Sequence, residues 1–167
     1  MSSGKAFVFG DNIDTDVLAP GHLMKLTPQL LASHCLEAID PTFASTVQPG
    51  DVMVAGANFG LGSSREQAAV SLKLLGVSAI LATSFARIFY RNAMNLGLPC
   101  IFFPEADQIS PGDQVRVTAA QGLIENLTTG AVFHAAPLPA HLMSMIEDGG
   151  LIPHLKRRLS AAGASHV

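Results

Sequence analysis

The chain has 167 residues, of which 49% are hydrophobic and 14% are charged. This apolar fraction is too high for an intrinsically disordered chain, and the length favours one domain over 1–167 with a packed core. The formal net charge is −3, and a solvated helix face explains the one dense basic run, residues 156–158. Nucleic acid is therefore not expected as a partner.

The apolar runs are short. Those at 77–82 and 100–103 fall far below the roughly 20 residues that a membrane-spanning helix needs. Residues 1–5 are followed by no long apolar segment, so we do not expect a secretory signal peptide. The sequence therefore predicts a cytoplasmic protein without a membrane partner.

The cysteine count limits the metal chemistry of the chain. Cys35 and Cys100 are its two cysteines, whereas an iron–sulfur cluster normally takes three or four thiolates. No His and Cys pair has the spacing of a zinc site. We assign no metal ligand and no catalytic histidine, and expect another chain to hold any metal that the protein uses.

Strand-like and helix-like segments alternate in the first part of the chain. The pattern predicts, in order, a strand over 5–10, a polar loop over 11–21, a helix over 27–39, a strand over 51–56, a loop over 58–62, a helix over 64–75, a strand over 77–82, a helix over 84–96 and a strand over 99–103. Thr27 and Pro28 supply the N-cap and the first residue of the first helix. This alternation favours an α/β layer structure with parallel strand pairs.

The pattern changes at Pro111 and Gly112. Short strands at 114–118, 122–127 and 131–134 indicate hairpins, and helices are predicted at 140–147 and 151–161. The predicted fold is therefore a single β/β/α body, barrel-like and of the α/β class.

The segment 58–66, Asn-Phe-Gly-Leu-Gly-Ser-Ser-Arg-Glu, joins a predicted strand to a predicted helix. Gly60 and Gly62 permit a tight bend and leave space close to the backbone. A helix start offers unpaired N–H groups and a partial positive charge, which suit a carboxylate or phosphate. Arg65 adds a guanidinium that can bind a carboxylate through two hydrogen bonds. The segment therefore indicates an anion site.

A structural role is the alternative for this segment. Ser63 and Glu66 have the spacing of a capping box, as do Ser64 and Gln67, so each serine could serve only the helix end. The spacing alone favours neither interpretation. Two glycines, two hydroxyls and an arginine at one junction favour a functional site.

A nucleotide-binding loop is a second alternative, because Gly60-x-Gly62 follows a strand. The third glycine position of a dinucleotide fingerprint holds Arg65, and the strand that follows ends at Thr83 without an acid for a ribose. No Gly-Lys-Ser/Thr sequence follows to make a P-loop. Nucleotide binding is therefore the weaker interpretation.

Three blocks, residues 10–16, 58–66 and 84–92, resemble in order and spacing the small subunits of 3-isopropylmalate dehydratase and homoaconitase. These subunits match the swivelling C-terminal domain of aconitase, and the resemblance places the core of the domain at about 5–155. The resemblance implies that fold and a hydro-lyase that isomerises a hydroxy-diacid by removing and re-adding water through an alkene. It also implies a large partner subunit that carries a 4Fe–4S cluster, so that this chain binds no cofactor.

The same resemblance assigns roles within the serine block. It implies that Ser63, as an alkoxide, abstracts the α-proton and that Ser64 and Arg65 bind the substrate carboxylate. A serine hydroxyl is a poor base at neutral pH, so its alkoxide needs strong local stabilisation. The helix start and Arg65 are expected to supply part of it, and the partner the rest.

Further residues are implied to support the site. Asp11 and Asp14 are placed beside it, with Gly60, Gly62 and Glu66 behind the reacting groups. For the two aspartates, bracing of a turn is the alternative, and a calcium or magnesium site lacks the EF-hand spacing.

Arg87 and Arg91 lie four residues apart on one face of a predicted helix. This face is either a solvated stripe or a surface that meets the large subunit or braces the serine block. Phe85, Ile88 and Phe89 on the same helix are expected in the core.

Two departures from the family bear on activity and substrate. Leu61 stands where many relatives have cysteine, which removes a thiol but leaves the base. His-Leu-Met-Lys at 22–25 replaces the family's Tyr-Leu-Arg or Tyr-Leu-Val. Met24 is apolar and adaptable, which favours a branched alkyl group, whereas Lys25 could reach a distal carboxylate.

These features favour 3-isopropylmalate in leucine biosynthesis as the substrate. Dehydratases of 2,3-dimethylmalate or citramalate, and a homoaconitase small subunit, are the alternatives. A non-catalytic anion- or nucleotide-binding module is the alternative of another class.

Overall fold

The strand and helix pattern produces one mixed sheet in the computed structural model, which describes residues 2–164. Its strands are β1 (Ser2–Val8), β2 (Val52–Ala55), β3 (Ala79–Ala82), β4 (Cys100–Phe102), β5 (Gln114–Thr118), β6 (Leu123–Asn126) and β7 (Val132–His134). The strand order is β4-β3-β2-β1-β5-β6-β7. Strands β1 to β4 pair in parallel, and β5 to β7 add antiparallel pairs beside β1. The predicted parallel α/β half followed by hairpins is confirmed.

Seven α-helices accompany the sheet in the described part of the chain. They are α1 (Thr15–Leu18), α2 (Pro28–Ala32), α3 (Phe43–Thr46), α4 (Gln67–Leu74), α5 (Arg87–Asn95), α6 (Ala140–Glu147) and α7 (Leu151–Ala164). The helices α4 and α5 begin three residues later than the pattern predicts, and α1 and α3 lie where no helix is predicted. None of these helices is long and apolar enough to cross a membrane.

The side chains of β2 show how the sheet acquires a core on each face. Met53 and Ala55 belong to the cluster packed under the helices, whereas Val52 and Val54 belong to a second cluster. This alternation is the period of two expected for a strand, and burial on both faces explains the continuous apolar run. The second cluster also contains Val115 and other residues of β5 to β7. The antiparallel arm therefore curls over the second face, which gives the sheet its half-barrel form.

The helix predicted over 27–39 is much shorter than its sequence suggests. Thr27 does act as the N-cap, because its hydroxyl accepts the backbone N–H three residues on, at 3.4 Å. The helix ends at Ala32, and Leu36 adopts a left-handed φ of 63°. The N–H of Leu36 donates to the carbonyl of Val17 at 3.0 Å, so a tertiary contact overrides the local helix preference.

The aromatic residues of α5 and the turn before it pack mainly as expected. Phe89 is buried and Phe85 is half-buried, and their rings lie 5.2 and 6.1 Å from that of Phe59. Ile88, expected in the core, is 48% exposed. That prediction is wrong because Ile88 lies on the outward face of α5, next to the exposed Arg87.

Both cysteines lie in the core beneath the helices. Cys35 and Cys100 are fully buried and unpaired. Burial raises the pKa of each thiol well above its ordinary value, because a thiolate is poorly solvated in an apolar interior.

We therefore expect both thiols to be unreactive in the folded chain. The thiolate is the reactive form. Burial disfavours ionisation of the Cys35 and Cys100 thiols and shields them from the reagent. Titration with an aromatic disulfide at mildly alkaline pH should label neither cysteine in the folded chain and both in denaturant. Rapid labelling of either thiol without denaturant would contradict this burial.

Candidate active site

Two loops that are distant in sequence are bonded together at the carboxyl ends of β1 and β2. We call residues 10–16 the aspartate loop and residues 58–66 the serine loop. Two backbone hydrogen bonds join the two segments, from Gly60 to Ile13 at 2.7 Å and from Thr15 to Leu61 at 2.8 Å, and a third, from Asn12 to Ala57 at 2.8 Å, lies just before the serine loop. Asn12 and Asn58 adopt left-handed φ values of 60° and 59°, and the amide of Asn58 donates to that of Asn12 at 3.0 Å. The aspartate loop therefore sets the position of the serine loop.

Two positions in the serine loop require glycine. Gly60 has a φ of 83°, and a Cβ there would lie 2.2 Å from the ring of Phe89. Gly62 has a φ of 115°, and a Cβ there would lie 2.8 Å from Oγ1 of Thr15. Side chains are strained at such φ values, so both glycines allow the loop to pass close to its neighbours.

Ser63 lies at the surface with its hydroxyl against a buried threonine. Its backbone N–H donates to Oγ1 of Thr15 at 3.1 Å, and the two side-chain oxygens are 3.3 Å apart. Thr15 is only 3% exposed, whereas Ser63 is exposed. The hydroxyl of Ser63 therefore faces open surface on one side and a fixed polar partner on the other.

The serine loop does not form the helix end that its sequence suggests. The helix α4 begins at Gln67 rather than at Ser64, and its N-cap, Glu66, makes no side-chain capping bond. The hydroxyl of Ser63 lies against Thr15 instead of capping the helix. The capping-box alternative is therefore wrong, and Ser63 lies outside the first turn, where the helix dipole acts most strongly.

Arg65 is held in place by its own chain and is 24% exposed. Its Nη1 donates to Oδ1 of Asp16 at 3.1 Å and to the carbonyl of Ala19 at 2.8 Å. Within residues 2–164, its Nη2 and Nε have no hydrogen-bond partner. The guanidinium is thus oriented through one nitrogen and retains a second edge for a ligand.

Asp16 is the ionic partner in this arrangement. Its Oδ1 also accepts the N–H of Gly21 at 2.8 Å. This N–H, together with the guanidinium of Arg65, holds the pKa of Asp16 below its ordinary value, because both stabilise the carboxylate. The pair therefore stays ionised through the neutral range.

The backbone N–H groups of Ser64, Arg65 and Glu66 are available to a ligand. Among the described residues they meet no protein acceptor, and Ser64 and Glu66 are exposed. Asn92 of α5 donates to the carbonyl of Ser64 at 3.3 Å, which fastens the loop from its other side. An anion beside Arg65 could accept from these N–H groups as well.

The two predicted supporting aspartates brace the aspartate and serine loops. Asp11 accepts the N–H of Ala57 at 2.7 Å, and Asp14 caps α1 by accepting the N–H of Val17 at 2.8 Å. Neither carboxylate is hydrogen-bonded to Ser63 or Arg65 in the described structure. Both aspartates therefore brace turns, a role that aspartate side chains commonly have.

The segment with the predicted substrate-selecting residues adjoins the site through its first residue. Gly21 bonds to Asp16 and begins a 3₁₀ turn, Gly21–Leu23, which Met24 ends. Met24 is half-buried against the core beneath the helices, and Lys25 is exposed. Neither side chain is hydrogen-bonded to the serine loop among the described residues.

Arg87 and Arg91 are exposed on α5, and within the described part of the chain neither pairs with a carboxylate. Asn92, on the same helix, reaches the serine loop. These arginines therefore lie on the helix that borders the site but are not part of its hydrogen-bond network.

Sequence reasoning does not identify Thr15, Asp16 and Asn92 as members of the site. It treats the stretch containing Thr15 and Asp16 as a loop brace. The available signal is that all three fall within the blocks 10–16 and 84–92 that carry the family resemblance. Their partners lie 28 to 49 residues away, so the contacts cannot be read from local spacing.

An iron–sulfur cluster does not fit the side chains of this chain. Within the described residues, no group of three or more His, Cys, Asp or Glu side chains could hold a metal ion. Cys35 and Cys100 are enclosed in the core, and burial raises the pKa of both thiols, whereas cluster ligands are thiolates. No step at this site is therefore assigned to a metal held by this chain.

Known proteins are similar to this chain in both sequence and fold. Residues 13–106 match the aconitase C-terminal domain family. The 3-isopropylmalate dehydratase small subunit of Moorella thermoacetica is 49% identical over 161 residues, which cover 95% of this chain and 97% of that protein. Small subunit 1 of the Thermotoga maritima 3-isopropylmalate dehydratase is 48% identical over 159 residues, or 94% and 96% of the two chains.

A solved structure supports the same relationship. The crystal structure of 3-isopropylmalate dehydratase from Methanocaldococcus jannaschii has a TM-score of 0.92 to this chain at 41% identity and covers 98% of both chains. The predicted swivelling α/β fold of the aconitase C-terminal type is thereby confirmed. This chain belongs to the aconitase C-terminal domain family, alongside the small subunits of 3-isopropylmalate dehydratase.

Proposed function

We propose that this chain is the small subunit of a 3-isopropylmalate dehydratase of leucine biosynthesis, working in the cytoplasm. This hydro-lyase interconverts 2- and 3-isopropylmalate through an alkene. The observation that carries the proposal is the serine loop, where the exposed hydroxyl of Ser63 lies two residues from the oriented guanidinium of Arg65. The family relationship supplies the reaction class, and this geometry supplies groups suited to a proton and a carboxylate.

Ser63 acts as the base in this proposal. As an alkoxide, its Oγ takes the proton from the carbon next to the departing hydroxyl, and it returns the proton when water re-adds. Arg65 binds a substrate carboxylate through Nη2 and Nε, the paired geometry that a guanidinium favours. The exposed hydroxyl of Ser64 and the free N–H groups of the loop contribute further hydrogen bonds to the same carboxylate.

The site on this chain is incomplete for a hydroxy-diacid. Arg65 lies two residues from Ser63, and its guanidinium is oriented by Asp16 and Ala19, but two carboxylates call for more than one such cation. We propose that a large partner subunit supplies the other cations and holds the 4Fe–4S cluster. The open face of Ser63 is then the side that meets the partner and its bound substrate.

Met24 and Lys25 are the proposed determinants of substrate choice. The half-buried thioether of Met24 is polarizable and adaptable, which suits the isopropyl group. The exposed ammonium of Lys25 is the feature that favours an alternative substrate with a more distant carboxylate, as in homoaconitase. Substituted malates with smaller alkyl groups, 2,3-dimethylmalate and citramalate, would fit the same apolar contact.

Replacing the proposed base gives the first test of this function. Ser63→Ala should lower kcat of the reconstituted enzyme by at least about a hundredfold, the usual scale for a lost general base, without preventing assembly with the large subunit. Steady-state kinetics with 3-isopropylmalate, together with gel filtration of the complex, measure the two effects. The matched control is Ser45→Ala, which removes another exposed serine that bonds only to its own turn. Turnover near the wild-type rate in Ser63→Ala would show that the base is wrongly assigned.

The pair formed by Asp16 and Arg65 predicts a change in substrate binding. Because the folded chain lowers the pKa of Asp16, the ion pair is complete above the ordinary carboxyl pKa of about 4 and is lost as pH falls through the lower folded value. The pair should therefore not limit KM in the neutral range. Asp16→Asn should mimic the protonated aspartate and raise KM severalfold. The change in kcat should be smaller, because Nη1 of Arg65 still donates to the carbonyl of Ala19.

A KM of Asp16→Asn equal to that of the wild type would exclude this orienting role. Asp40→Asn is the matched control, since within the described residues the carboxylate of Asp40 accepts hydrogen bonds only from Thr42, two residues on. The comparison requires steady-state kinetics of the reconstituted enzyme at several pH values.

Met24→Arg should redirect substrate choice. The change removes an apolar contact and adds a cation, so kcat/KM for 3-isopropylmalate should fall by about tenfold or more, on the scale set by small changes in an apolar pocket. The value for a longer tricarboxylic homologue should rise, whereas Met24→Leu should preserve the original preference. An unchanged ranking in Met24→Arg would exclude Met24 as a determinant.

A further inference from the structure

The hydrogen bonds around Thr15 determine where its hydroxyl proton points. Oγ1 of Thr15 accepts the backbone N–H of Ser63 at 3.1 Å and lies 3.3 Å from Oγ of Ser63. A threonine hydroxyl has one proton to donate and two lone pairs that accept. Among the described residues, Oγ1 has no other partner, and Thr15 is only 3% exposed. Within residues 2–164, Ser63 Oγ is therefore the acceptor within reach of this proton.

The surrounding chain holds this hydroxyl in place. Thr15 lies in the first turn of α1, and its N–H donates to Leu61 at 2.8 Å. Gly62 passes so close that a Cβ there would meet Oγ1 at 2.8 Å. The oxygen is thus fixed from two sides before any ligand arrives.

We propose that Thr15 is a positioning residue that stabilises the alkoxide of Ser63, an inference that rests on the proposed function. While Ser63 is a hydroxyl, either oxygen can donate to the other. Once Ser63 loses its proton it can only accept, so Thr15 becomes the donor. Hydrogen bonds to an ionised acceptor are shorter and roughly twice as strong, so this contact favours the deprotonated form selectively.

Neither Arg65 nor the start of α4 contacts Ser63 Oγ in the described structure. Nη1 of Arg65 is occupied by Asp16 and Ala19, and no bond joins Arg65 to Ser63 in the described structure. The helix α4 begins four residues after Ser63. Thr15 is therefore the side chain of this subunit that contacts the oxygen on which charge develops, and such fixed donors are the usual means of stabilising it.

A pH dependence of activity tests this role, and other charged groups near the site contribute to it. Those on the segments around Ser63 are Asp11, Asp14, Asp16, His22, Lys25, Arg65, Glu66, Arg87 and Arg91. All of them are retained when only residue 15 is changed. A difference between variants at position 15 therefore reports on the hydroxyl of Thr15.

The experiment compares Thr15→Val, which removes the hydroxyl at similar size, with Thr15→Ser, which keeps it. Each variant is assembled with the large subunit, and kcat and KM for 3-isopropylmalate are measured across pH. In Thr15→Val, kcat near neutral pH should fall by about tenfold to a hundredfold, the scale of a hydrogen bond to a charged group. KM should change little, and the rising limb of kcat should move to higher pH because the alkoxide forms less readily. Thr15→Ser should retain most of the wild-type kcat and the wild-type position of the rising limb.

The matched control is Thr128→Val. Its hydroxyl also accepts a backbone N–H, that of Gln114 at 2.8 Å, but in the antiparallel arm of the sheet. This variant should lose some thermal stability without altering the pH profile.

An unchanged pH profile in Thr15→Val, with only a lower Tm, would overturn the inference and leave Thr15 a structural residue. Should Thr15→Val fail to fold, Thr15→Cys retains a weaker donor and should give an intermediate kcat with a smaller shift of the limb. Wild-type kcat in Thr15→Cys would then overturn the inference. Inactive wild-type complex, or an active Ser63→Ala complex, would instead refute the proposed function.

Discussion

The contact between the aspartate loop and the serine loop is the constraint on which the site depends. Two backbone bonds and the hydroxyl of Thr15 join the two loops, and the salt bridge between Arg65 and Asp16 adds a further contact between them. The strands β1 and β2 are parallel neighbours, so their carboxyl ends deliver the loops side by side. The sheet topology thereby positions the loop that carries the exposed hydroxyl of Ser63 and the guanidinium of Arg65.

The same contact explains why the chain presents half of a site. Polar groups of the two loops satisfy one another on the inner side, where Thr15 contacts Ser63. On the outer side, the free edge of Arg65 and three backbone N–H groups have no partner among the described residues. Unpaired donors arranged together suit an anion. The proposed shared site, in which another subunit brings a diacid to this surface, would use these open donors.

Much of the fold follows from the sequence, because strand alternation and turn residues are local signals. The strand β5 and the helix α6 have the predicted limits, 114–118 and 140–147. The predictions fail where tertiary contacts determine the local structure. The helix predicted over 27–39 does not continue through Leu36, because Leu36 has a left-handed φ and its N–H donates to the carbonyl of Val17 in α1. Ser63, Ser64 and Arg65 are predicted from one continuous segment, whereas the role proposed for Thr15 depends on a contact across 48 residues. No spacing rule reports such a contact.

The most direct test of the central claim is a structure of this chain bound to its large subunit with a non-reacting substrate analogue. The proposed function predicts that Ser63 Oγ lies within about 3.5 Å of the carbon that loses its proton, the separation of a reactive contact. It also predicts that Arg65 contacts a carboxylate of the analogue. A complex in which Ser63 faces solvent, or lies far from the bound analogue, would contradict the account.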